Sequence, residues 1–143
     1  MRHLFEWVAD NGYAISLDEG YHSIDVDSPD WTEAGIHYKE GRSPIVSDVS
    51  RDDGSPDCLI REEIGEFRDF LEDVDDSPAR ARVLHHLANT TFIIANQYPS
   101  DIDGEGYAVS GWFLNYLVMH HGGIVQCDGE GFYEGADLIV ELS

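Results

Sequence analysis

Basic residues are what this chain has least of. Lys39 is its only lysine, and eight Lys and Arg face twenty-nine Asp and Glu, a net charge of -21 over 143 residues. That shortage excludes nucleic acid as a partner, because phosphate binding needs a basic stripe and the arginines here are scattered. Cysteine is nearly absent as well. Cys58 and Cys127, with no CxxC pair and no metal-binding spacing, exclude a disulfide framework and read as two reduced, partly buried thiols. No apolar run reaches the ~20 residues of a membrane span. The longest, Tyr107 to Met119, is stopped by His120-His121-Gly122-Gly123, so no membrane partner is expected. Also missing are a glycine loop ending in Gly-Lys-Ser/Thr and a Gly-x-Ser-x-Gly turn, which removes the two commonest local signatures of nucleotide and acyl-transfer chemistry. Met1-Arg2-His3-Leu4-Phe5-Glu6 puts an acid where a signal peptide needs an apolar run, and the expected location is cytoplasmic.

What is present is carboxylate and a core. Asp outnumbers Glu and lysine is nearly lost, a composition that reads as adaptation to a salty cytoplasm in which concentrated salt screens self-repulsion. High net charge also marks disordered chains. Here 42% hydrophobic residues, with six Phe, seven Tyr and three Trp, argue for a packed interior. The length suits a single domain over 1–143.

Charge is distributed unevenly. No Asp, Glu, Lys or Arg lies between Arg82 and Asp101, or between Glu105 and Asp128. The second gap contains a helix apolar on nearly every face, expected to be buried on two sides, with Trp112, Phe113, Tyr116 and Leu117 in the core. A short amphipathic helix is expected over Arg2–Asp10, ended at Asn11-Gly12. Strands over Tyr13–Leu17 and His22–Val26 flank a turn at Asp18-Glu19-Gly20-Tyr21, and Glu33–Lys39 pairs with Pro44–Ser50 across Glu40-Gly41-Arg42-Ser43. Ile60, Ile64, Phe67, Leu71 and Val74 recur at helical spacing. Ser77-Pro78 reads as an N-cap followed by proline at the first helical position. Thr90 to Ala95 is a continuous apolar run expected to be a central strand covered on both faces. Ile124–Cys127 and Leu138–Leu142 complete an α+β fold: a mixed, mostly antiparallel sheet of about six to seven strands carrying three to four helices.

One internal echo bears on topology. Leu4, Trp7, Val8, Gly12 and Asp18 match Leu114, Leu117, Val118, Gly122 and Asp128 at a constant offset. Two copies of helix, glycine stop, strand, acidic turn and strand are compatible with a permuted ferredoxin-like sheet.

Asp101-Ile102-Asp103-Gly104-Glu105-Gly106 opens like a calcium loop but has Trp112 where the twelfth position needs a bidentate Glu. Its plain role is to lead into a helix, with Asp103 and Glu105 near the positive end of the dipole. If Pro44–Ser50, Thr91–Tyr98 and Ile124–Cys127 ran parallel, then Asp52, Asp53, Asp101, Asp103, Asp128 and Glu130 would converge at one sheet edge. The candidate metal ligands from that argument are Asp101, Asp103, Asp128 and Glu130, with Mg²⁺ as the hard cation they would suit. His85-His86 and His120-His121 are adjacent pairs, which do not share a helix face and so cannot chelate one ion as HxxxH would.

The sequence therefore points to a binding or interaction protein without enzymatic activity, acting on a protein partner or through self-association and requiring no cofactor. The alternative is a metal-dependent enzyme using the carboxylate edge. The charge itself generates one expectation. Carboxylate repulsion is the main destabilising term outside high salt, so molar KCl should raise the thermal unfolding midpoint well above its value in dilute buffer. Equal midpoints in the two conditions would remove the salt-adaptation reading.

Overall fold

Leu4 and Val8 are buried on one side of helix α1 (Arg2–Asp10), because residues four apart return to the same helical face. The helix stops where Asn11 Nδ2 donates to the Trp7 carbonyl at 2.8 Å and Gly12 takes a left-handed φ of +97°. The computed structural model describes residues 2–18, 31–55 and 58–142. The expected strand His22–Val26 and most of the turn before it lie outside the described residues.

Four strands form the first sheet in the order β1 (Ser16–Leu17), β2 (Glu33–His37), β3 (Ile45–Arg51) and β4 (Phe92–Gln97). β2 and β3 are the hairpin read from the sequence, with Glu33 opposite Asp48 and Ile36 opposite Ile45. On β3 the period of two is plain: Ile45, Ser47 and Val49 are buried and their neighbours are partly exposed. β4 runs antiparallel to β3. Asp52 N donates to the Thr91 carbonyl at 2.9 Å, while the Gln97 amide reaches the Asp48 carboxylate at 2.6 Å.

Two features of β4 correct the sequence reading. It ends the sheet order instead of lying centrally, and none of its six residues is buried. An unbroken apolar run does not require cover on both faces when the strand is short and its neighbour already fills the core.

After β3 come α2 (Leu59–Glu72) and α3 (Pro78–Ala88). The Ser77 side chain accepts from Arg80 N at 3.0 Å, the expected cap, and Pro78 occupies the first turn. Arg80 Nε donates to the Leu71 carbonyl at 3.0 Å, placing a cation on the last turn of α2. After β4 follow α4 (Gly104–His121), β5 (Val125–Cys127), β6 (Gly131–Glu134) and β7 (Asp137–Glu141), the last three forming a second antiparallel sheet in chain order. Gly131, at a φ of +149°, faces the Val140 backbone so closely that a Cβ would overlap the Val140 carbonyl.

The fold is therefore α+β, with four helices and seven strands among the described residues, divided between two antiparallel sheets. β6, unassigned in the linear reading, appears only as the second strand of the repeated unit. The repeat holds locally: Gly12 and Gly122 both have left-handed φ, of +97° and +64°, and each precedes a strand. Among the described residues β1 and β5 belong to different sheets, which lends no support to a single permuted ferredoxin-like sheet.

Contacts divide the chain into two compact units, Met1–Val49 with Ile94–Leu117 and Ser50–Ile93 with Val118–Ser143. The first has a core of Leu4, Val8, Ala34, Ile36, Tyr38, Ile45, Val109 and Phe113. The second is built on Leu71, Val83, Leu87, Phe132 and Val140. On α4, Gly106, Val109, Ser110 and Phe113 form the buried stripe. Trp112, Tyr116 and Leu117 are half-buried against the first core, and Tyr107 and Met119 are exposed. The helix is thus buried along one stripe and not on two sides. Gly106 is needed there, since a Cβ would lie 2.8 Å from Tyr38 Cζ and 2.6 Å from Ile102 Cγ1.

Phe113 is 1% exposed at the centre of the first core. Phe113→Ala should cost about 3–5 kcal/mol of unfolding free energy by denaturant titration. A loss under about 1 kcal/mol would mean that the stripe is not what holds this unit together.

Candidate functional site

The acidic loop before α4 is held by the chain's scarce cations. Asp101 accepts from Ser43 N at 3.0 Å and from Ser43 Oγ at 3.2 Å, and its carbonyl accepts from Arg42 Nη1 at 2.8 Å. Asp103, immediately before the helix, divides its two oxygens. Oδ1 accepts from Gly106 N at 3.0 Å, which caps α4, and Oδ2 accepts from Lys39 Nζ at 3.1 Å. Arg42 Nε lies 3.6 Å from the same oxygen, and Lys39 also approaches Glu105 at 3.7 Å. The Gly106 N–H, and after it Lys39, hold the Asp103 carboxyl below its usual range. The hydrogen bond to Asp103 raises Lys39 in turn. Asp101 and Asp103 therefore join the β2–β3 turn to the start of α4, with the protein's own cations beside them.

The same unit carries a part-buried hydroxyl cluster. Ser110 Oγ lies 2.8 Å from the Tyr98 hydroxyl and accepts from Asn96 Nδ2 at 3.2 Å, and the Tyr98 ring meets Tyr107 edge-on at 5.3 Å. Asn96 Oδ1, Ser47 Oγ and the Tyr38 hydroxyl are buried with no hydrogen-bond partner among the described residues. Ser110 is 1% exposed, and its hydroxyl anchors that of the exposed Tyr98. Only folding assembles this group. Its hydrogen-bonded members come from β4, the segment just after it and α4, and no sequence motif marks them.

Asp128 and Glu130 sit in the β5–β6 turn of the second unit, around Gly129 at a φ of +76°. Glu130 N donates to the Cys127 carbonyl at 3.1 Å, and the Glu130 carbonyl receives Leu142 N at 2.9 Å. Burial, and after it the negative charge of Glu130 and Asp128, pushes the Cys127 thiol up, away from nucleophilic thiolate chemistry. Among the four sequence-predicted ligands, the structure thus shows Asp101 with Asp103 in one unit and Asp128 with Glu130 in the other. The common edge that was to unite them required parallel strands. β3 and β4 are antiparallel, and β5 belongs to the other sheet.

Another group does bring ligand atoms together. The Asp52 and Asp53 carboxylates and the Cys58 thiol all lie within 4.8 Å of one another. Each carboxylate is also engaged in its loop: Asp52 Oδ1 accepts from Gly54 N at 2.9 Å and Asp53 Oδ1 from Ser55 N at 2.8 Å. The Cys58 Sγ points to Asp52 Oδ1 at 3.9 Å, with Arg61 Nη2 at 3.7 Å from that oxygen. The sequence named Asp52 and Asp53 only as part of the broader edge, and Cys58 only as a reduced, partly buried thiol.

The histidine pairs have structural surroundings. Asn89 Nδ2 donates to the His85 carbonyl at 2.9 Å and Thr90 Oγ1 to the His86 carbonyl at 2.7 Å, closing the end of α3. His86 is held below its usual range by burial and then by Arg82, which is paired with Glu134 at 2.5 and 2.6 Å. His121 meets the Phe92 ring edge-on at 6.0 Å.

The partners of Asp101 distinguish a structural junction from a surplus charge. Asp101→Ala should lower the unfolding midpoint and Asp101→Asn, which keeps one acceptor oxygen, should lower it less. A surplus carboxylate would behave oppositely, since removing its charge by either substitution would raise the midpoint in dilute buffer. Compared with protein-family models, with curated proteins and with solved structures, the chain matches none.

Proposed function

We propose that this chain is a non-enzymatic interaction protein, adapted to concentrated salt, that works by binding a protein partner or another copy of itself. The observation that carries the reading is β4. Among the described residues it stands at the end of its sheet; it holds no buried residue and lies in a stretch free of Asp, Glu, Lys and Arg, within a chain of net charge -21. Exposed Tyr98 and Tyr107 continue the uncharged surface beyond its end. Interface centres are depleted in charge and enriched in aromatic residues, the composition found here. The engagement of Asp101 and Asp103 by Ser43, Arg42 and Lys39 supports the same view, because these carboxylates have structural work without a metal.

The second reading, a metal-dependent enzyme, draws its support from Asp52, Asp53 and Cys58. One preparation separates the two. The chain, isolated in molar KCl from the cells that make it, should carry a stoichiometric protein partner or a second copy by light scattering and mass spectrometry. Elemental analysis should find no stoichiometric metal. A lone chain with one equivalent of a divalent metal, lost in Asp52→Asn, would move the assignment to the enzyme.

A further inference from the structure

We infer that β4 is the pairing edge of a symmetric dimer, in which two copies join their four-stranded sheets through antiparallel β4 strands; this rests on the interaction reading above. In an antiparallel ladder, residues alternate between those that turn both N–H and C=O to one neighbour and those that turn them to the other. The Thr91 carbonyl faces β3, where it accepts from Asp52 N. By that alternation Ile93, Ala95 and Gln97 face β3. Phe92, Ile94 and Asn96 present their N–H and C=O groups to the side where, among the described residues, no strand follows.

Sheet edges are ordinarily protected by lysine, proline, inward charge or a bulge. Phe92–Gln97 carries no charged residue and no proline. The next proline along the chain is Pro99, beyond the strand.

The outward groups are self-complementary. A two-fold axis at Ile94 places Phe92 opposite Asn96 of the second copy and Ile94 opposite its twin, so all three outward residues find hydrogen-bonding partners. Charge selects the occupant. A basic partner would be drawn to the carboxylates elsewhere on the chain, whereas a second copy repels them and is tolerated best along a neutral strip. The two therefore respond oppositely to salt: pairing of like chains strengthens as salt screens the net charge of -21 on each, and capture of a basic partner weakens.

The test uses the full chain in molar KCl. In this register Thr91 lies opposite Gln97 of the other copy as a non-hydrogen-bonded pair, with Cα atoms about 4.5 Å apart, inside the range that a disulfide spans. Within one chain the same residues are six positions apart on an extended segment, roughly 20 Å, and cannot bridge. The double variant Thr91→Cys, Gln97→Cys, oxidised with diamide, should become a covalent dimer that reductant reverses, above the baseline of the parent chain treated in parallel. Ala95→Lys, at an exposed position, should halve the mass seen in sedimentation and leave the circular dichroism spectrum unchanged.

A parent dimer that survives Ala95→Lys and gives no covalent dimer would overturn the β4 edge and leave the interaction reading standing. A parent monomer that carries another protein would do the same. A parent monomer carrying no protein would overturn both.

Discussion

Scarcity of positive charge is the constraint on which the structure turns. Eight cations cannot pair twenty-nine carboxylates one to one, and Lys39, Arg42, Arg61, Arg80 and Arg82 are placed at junctions. Lys39 and Arg42 lie between the β2–β3 turn and the start of α4. Arg80 reaches from α3 to the last turn of α2, Arg82 joins α3 to β6, and Arg61 returns from α2 to Asp52. Exposed ion pairs are individually weak and weaken further in salt. Their value here is geometric, because each holds together segments remote in sequence or closes a helix end. Asp103 illustrates the economy, since one carboxylate caps a helix and receives the only lysine.

The same constraint shapes the interior. Carboxylates cannot be buried cheaply, so the apolar residues collect in stretches free of charge. One such stretch became α4, which contributes Val109 and Phe113 to the first core. The other became the end of α3 and β4. One core cluster gathers Ala34, Ile36 and Ile45 of the first sheet, and another gathers Phe132 and Val140 of the second. A helix apolar on all sides is accommodated with a single buried stripe, which leaves Tyr107 and Met119 on the surface.

Much of the local structure was legible. Helix α1, the β2–β3 hairpin and the Ser77-Pro78 start of α3 follow from periodicity, turn residues and capping, all of which act within a few positions of the chain. The loop before α4 was read correctly as a helix entrance with acids near its positive end. Its partners were not legible. Ser43 and Lys39 lie 58 and 64 positions from the carboxylates they meet, and nothing in a linear pattern pairs them. The metal candidates Asp101, Asp103, Asp128 and Glu130 rested on a parallel arrangement that the strands do not adopt, because strand direction is a property of pairing and not of composition.

By itself the sequence determined the charge, the α+β class, the bounds of α1 and the capped start of α3, since each depends on residue chemistry or on contacts within a turn or two. Only the tertiary structure decided that the seven strands among the described residues divide between two sheets and that β4 comes last in the order of one of them. It also decided that Asp52, Asp53 and Cys58 meet while the predicted ligands are split between two units. The physical reason is the same in each case. Strand order and long-range hydrogen bonds are chosen by which apolar faces cover one another, and many pairings satisfy the same local pattern.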